Sequence, residues 1–182
     1  MSELEEHSES GPRFDLAAWR IPLLIAAGIV IVDQLTKQWA LSALGGGRDI
    51  HVIWTLQWNL TFNSGMAFSR GEGLGPLIAV AATLVIVWLL LSLNREATTM
   101  SIIGMGLVIG GAAGNLIDRL FRGDAWLRGA VVDFIDFQWF PIFNIADVAI
   151  NAGAGLLILN AFLQSRRAAA EPESDQHETE PA

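Results

Sequence analysis

No cysteine occurs in the sequence, which excludes disulfides and thiolate chemistry. Histidine is scarce: His7 and His177 lie near the termini and His51 stands alone in a loop. No His/Cys cluster has the spacing of metal ligands, so neither a metal site nor a cofactor is expected. Lysine occurs once, as Lys37. The net charge of -8 comes largely from two acidic ends, Glu3 to Asp15 and Glu171 to Glu180. Such blocks read as solvated, disordered tails, spanning 1–20 and 165–182, and they argue against a nucleic-acid partner.

Between the tails, at 21–164, lies one apolar domain. The chain is 52% hydrophobic and 16% charged, with a mean hydropathy of +0.44. These values suit a small membrane protein. Crossing a bilayer as helix takes about 20 apolar residues, and four stretches qualify: Ile21–Leu44, Leu74–Leu93, Met100–Leu120 and Pro141–Leu163. The first follows an acidic leader, so it reads as a retained span rather than a cleaved signal. Gly104, Gly106, Gly110, Gly111 and Gly114 in the third permit close helix approach.

Alternating spans gather the polar residues on one side. Asp33, Lys37, "NLTFNSGMAFS", "GNLIDR", "VVDFIDF" and "FNIAD" share that face, flanked by Trp39 and Trp139 as interfacial anchors. Orientation stays open, because five arginines fall on each side: Arg13, Arg20, Arg95, Arg166 and Arg167 against Arg48, Arg70, Arg119, Arg122 and Arg128. From Val52 to Asn63 apolar and polar residues alternate, which predicts one amphipathic strand. It would dock on lipid, cradle an extended peptide, or close as a lid with its Trp residues on the bundle.

Asp33 and Lys37 stand four apart on one helix and read as a structural ion pair. The rival role for Lys37 is general base to Ser64 or Ser69; a lysine paired with a carboxylate is poorly suited to it. Asp118 adjoins Arg119 and is read as an ionised structural group held by it. Asn115 and Arg119, one turn apart, are expected to donate to backbone or substrate. Asp133, Asp136 and Asp147 lack a basic neighbour, and Asn144 is the one donor beside Asp147. Burial and a second carboxylate raise a carboxyl pKa, so two of the three suggest a proton-sharing pair that activates water and protonates a leaving amine. Spacing alone leaves Asp133 and Asp136 as alternatives. The competing classes are an ion or proton carrier and a catalytically silent scaffold.

Asp33 with Lys37, "NSGMAF", "GGAAGNLIDR", "VVDF" and "FNIAD" occur in an order that resembles bacterial lipoprotein signal peptidase, or signal peptidase II, from Ile21 to Leu163. The resemblance implies an all-α membrane protein of four transmembrane helices, with a small extracytoplasmic β element and a short amphipathic segment. It implies an aspartic endopeptidase that cuts prolipoproteins N-terminal to a diacylglyceryl-modified cysteine, with membrane lipid as surroundings and globomycin-type compounds as inhibitors. Asp133 and Asp147 would be catalytic; Asn63, Gly65, Asn115, Arg119 and Asn144 would line the site; Asp33, Lys37 and Asp118 would brace it. Both tails would lie in the cytoplasm and the site near the outer face of the cytoplasmic membrane. Met66 stands where alanine is common, and the stretch from Arg119 to Asp133 is longer than usual.

Overall fold

The computed structural model describes residues 16–65, 74–92, 97–123 and 126–170. Met66, Ser69 and most of both tails, on which expectations fell, lie outside the described residues. The apolar stretches form four helices: α1 (Leu16–Ala43), α2 (Gly75–Ser92), α3 (Thr99–Phe121) and α4 (Ile145–Ala170). All four are long and apolar enough to cross a membrane. Their outward faces are lined by apolar side chains such as Leu24, Leu77, Leu84 and Ile158, as contact with lipid requires.

The centre of the bundle is α3, which packs on α1, α2 and α4. Its glycines set the spacing: a methyl on Gly110 would lie 2.8 Å from the Ala26 Cα of α1. The helices therefore meet nearly backbone to backbone.

The β element differs from the sequence expectation in two ways. The alternating segment is a hairpin rather than one strand: β1 (Ile50–Ile53) and β2 (Leu56–Asn63) pair antiparallel. The chain reverses at Trp54, which takes a left-handed φ of 52°; no Gly, Asn or Pro marks that turn. The apolar run "VVDFID" forms a third strand, β3 (Val131–Asp136), paired antiparallel with β2 in the order β1-β2-β3. Every residue of β3 is buried, and a fully buried strand carries no alternation to betray it.

The register brings Thr61 opposite Asp133 and Gln57 opposite Asp136, with an irregularity between Trp58 and Thr61. Phe134, Ile135 and the apolar face of β2 pack on Ala40 and Leu44 at the end of α1. Trp58 lies edge-on to Trp39 of α1, with ring centroids 5.8 Å apart. Of the hairpin's tryptophans, Trp58 thus packs as a lid would, whereas Trp54 is 81% exposed at the tip. The fourth span starts later than Pro141, because Phe143 bridges back to Ile135 and Asn144 caps the helix. It runs on to Ala170, so 165–170, expected in the disordered tail, is helical.

Candidate active site

The chain enters α4 through a reciprocal cap. Asn144 Oδ1 accepts from the Asp147 N–H (3.0 Å), and Asp147 Oδ2 accepts in return from the Asn144 N–H (3.2 Å). This is a capping box, which satisfies two otherwise orphaned N–H groups at a helix start. It also fixes the Asp147 carboxylate at the positive end of the helix dipole.

Asn144 Nδ2 reaches the other way, to Asp133 Oδ1 on β3 (2.6 Å). One fully buried asparagine therefore links two carboxylates from different elements. Asn63, last in β2, donates to Asp133 Oδ2 (3.2 Å), while the Gly65 N–H donates to Asn63 Oδ1 (3.1 Å) and holds that amide in place. Gly65 has φ 145°, and a Cβ there would meet the Gly75 nitrogen at 2.7 Å. Asn115 of α3 donates to Asp147 Oδ1 (2.8 Å). Each of the four carboxylate oxygens thus receives one N–H.

Asp133 is 2% exposed. Its burial, and next the charge of Asp147, push its carboxyl up to about 7, against the donors Asn63 and Asn144 and the charge of Lys37. Asp136, three residues along the same strand, behaves oppositely. Burial raises its carboxyl, but donation from Gln57, the Gln138 N–H and Asn59 outweighs this and holds it below the usual carboxylate range. The two aspartates of β3 thus differ in setting: Asp136 is a satisfied acceptor that ties β2 to β3, and Asp133 shares Asn144 with Asp147.

Behind these groups lies a buried charge network. Lys37 Nζ is 2.8 Å from Asp33 Oδ2 and 2.8 Å from Asp118 Oδ2, and it donates to Asn115 Oδ1 at 2.9 Å. None of its three hydrogens goes to a serine. Asp118 pairs with Lys37 and Arg122 (2.7 Å) rather than with its sequence neighbour Arg119. Adjacent helical residues point to different sides, whereas Arg122 lies four along and shares its face. Asp33 Oδ1 accepts the Ala146 N–H (3.0 Å), which ties α1 to the start of α4. Gln34, unremarked in the sequence, donates to Asp33, Asp118 and the Gly114 carbonyl. Its place beside Asp33 and three before Lys37 was the available signal.

The approach to β3 is anchored at Gly129 and Val132. The Gly129 N–H donates to the Arg119 carbonyl (3.0 Å) and the Val132 N–H to Asp118 Oδ2 (3.2 Å). Gly129 lies against the Asp118 carbonyl so closely that a Cβ has no room. These bonds start β3 at a fixed height and deliver Asp133. Arg119, 6% exposed, donates from one terminal nitrogen to the Asn115 carbonyl (3.3 Å), while its buried Nε–H has no partner among the described residues. No group of three His, Cys, Asp or Glu side chains among the described residues could hold a metal ion.

A family model described as signal peptidase (SPase) II matches residues 25–163. The lipoprotein signal peptidase of Mycobacterium leprae is 40% identical over 141 residues, covering 77% of this chain and 70% of that protein. That of Mycobacterium tuberculosis is 36% identical over 163 residues, covering 87% and 81%. A solved bacterial membrane enzyme, determined by the in meso method at 2.3 Å resolution, matches with a TM-score of 0.69 at 30% identity, covering 88% of this chain and 94% of that one.

Proposed function

The chain belongs to the signal peptidase II family, proteases that remove lipoprotein signal peptides, and from that premise we propose that it works through an aspartate pair, Asp133 and Asp147. The observation that carries this reading is Asn144 bridging the two carboxylates, beside a carboxyl raised to about 7. Two acids in one site whose environments separate them divide the work of acid and base.

The ionised member takes a proton from water as the water oxygen attacks the scissile carbonyl carbon. The protonated member then gives its proton to the leaving amine as the C–N bond breaks. The pair ends with one proton, as it began. The Arg119 Nε–H, without a partner among the described residues, is a ready donor to substrate backbone, while Asn63, Asn115 and Asn144 line the site and orient the two carboxylates toward it. The scissile bond lies N-terminal to a diacylglyceryl-modified cysteine whose acyl chains stay in lipid beside the outward faces of the helices. Globomycin-type compounds are expected to inhibit the protein.

We place both tails in the cytoplasm and the sheet at the outer face of the bacterial cytoplasmic membrane. An ion carrier, the competing class, would set ionisable groups at successive depths. Instead α2 carries none, while Asp33, Lys37, Asp118, Arg119 and Asp147 meet beside the sheet.

The test is cleavage of a lipid-modified prolipoprotein by purified protein. Asp133→Asn and Asp147→Asn are each expected to lose at least ~10³-fold in kcat; full activity in either overturns the pair. Because the chain has no cysteine, Trp54→Cys offers one thiol for topology. A membrane-impermeant maleimide should label it from outside intact cells, and labelling only after lysis reverses the orientation.

A further inference from the structure

The Asn115 amide has a carbonyl end and an NH2 end, and their placement decides what Asp147 faces. Asn115 Oδ1 takes two donors, Lys37 Nζ at 2.9 Å and Asn144 Nδ2 at 3.1 Å. Both lone pairs are then filled. Rotating the amide by half a turn would set NH2 against the ammonium of Lys37 and carbonyl oxygen against the Asp147 carboxylate. Both contacts would be repulsive in a buried setting where unpaired polar groups are costly. Asn144 is itself fixed by the Asp147 N–H, leaving Lys37 as the cationic end of the chain Lys37–Asn115–Asp147.

We propose that Lys37 is a positioning residue for hydrolysis: by orienting the Asn115 amide it fixes the Asp147 carboxylate in its alignment beside Asp133. The inference rests on the aspartate-pair reading above. Asp147 collects the Asn115 NH2 and the Asn144 N–H at a helix start, while Asp133 sits deeper, on a strand with no dipole of comparable size. The charged groups facing this chain are Asp33 on α1, Asp118, Arg119 and Arg122 on α3, Asp133 on β3 and Asp147 on α4. Asp33 and Asp118 accept the other two hydrogens of Lys37, so the ammonium has no freedom to swing away.

The experiment is a cycle of Lys37→Met, Asn115→Ala and the double variant, each followed as kcat, KM and thermal midpoint. Each single change should lower kcat at least tenfold with KM within about twofold, and the double change should be no worse than Asn115→Ala within about threefold, since both act through one amide. A bracing role alone would lower the thermal midpoint and leave kcat of the folded protein near wild type, and losses that multiply in the double variant overturn the proposal. Should Lys37→Met fail to fold, Lys37→Gln takes its place in the cycle. Asn115→Ala, which leaves the Lys37 ion pairs intact, decides by itself: wild-type kcat in that variant overturns the proposal whatever happens at Lys37. Full activity in Asp133→Asn or Asp147→Asn would instead strike the aspartate pair itself, so the two failures are distinguishable.

Discussion

The two ends of the bundle are made by the same helices and treat polar atoms in opposite ways. At one end Thr98 caps α3, its hydroxyl accepting from the Ser101 N–H (3.2 Å) and donating to Asn160 Oδ1 of α4 (2.8 Å). That knot is small and carries no charge. At the other end Asp33, Lys37, Asp118, Arg119 and Asp133 are all nearly or fully buried. Buried ion pairs give weak net stability even when well made, so stability alone does not account for that end. It is organised around the orientation of two carboxylates, and the cost of desolvation is offset by nearly complete pairing.

Changes at the two ends should therefore differ in kind. The largest effect is expected from Asp118→Leu, which strips Lys37 and Arg122 of a shared partner and frees the Val132 N–H. A loss of ~3–5 kcal/mol is expected, read as a lower thermal midpoint in detergent or lipid, with cleavage falling alongside it. Next is Gly114→Ala, whose new methyl would lie 2.6 Å from Asp33 Oδ2. Overpacking of this sort costs ~1–3 kcal/mol. It should cut activity more than its stability loss explains, because Asp33 holds both Lys37 and the Ala146 N–H. Thr98→Ala, at the plain end, should cost ~1 kcal/mol as a lost N-cap and leave kcat unchanged. A fall in kcat there would erase the distinction between the ends.

The smallest effect is a pH dependence at Asp136. Its carboxyl is held below the usual range, so its stabilising contribution is present above the ordinary carboxyl value. That contribution is lost as the pH falls through the lowered one. Wild type should lose sheet stability on acidification that Asp136→Asn does not lose. Asp133 has the reverse sign: its carboxyl is raised to about 7, so its linkage destabilises the fold as pH rises from about 4 toward that value. Comparing Asp133→Asn with wild type between about pH 4 and 7, and Asp136→Asn with wild type below the ordinary carboxyl value, measures both from one strand.

The sequence was most readable where physics is periodic or local. Long apolar runs located the spans, and the Asp33–Lys37 spacing identified a helical pair. The start of α4 was also within reach, since Asn144 and Asp147 stand three apart, as N-cap and N3 do; apolar Pro141 to Phe143 concealed it. What escaped depended on partners distant in sequence. Adjacency in sequence pairs Asp118 with Arg119, yet its cations are Lys37 and Arg122. The hairpin turn at Trp54 lacks turn chemistry, so alternation ran on through it. Residues 131–136 became a strand only because β2 lies beside them. Asp133 and Asp136 could not be told apart until Asn144 supplied a partner for one and Gln57, Asn59 and Gln138 for the other.

The Asn144–Asp147 cap has a consequence for how the protein comes into being. The two hydrogen bonds that begin α4 are among those that aim Asp147, and the side-chain amide of Asn144 is also the bridge to Asp133. A newly made chain whose last span has not yet coiled has neither carboxylate in place. With the aspartate pair proposed above as the catalyst, proteolytic competence arrives only with the final helix.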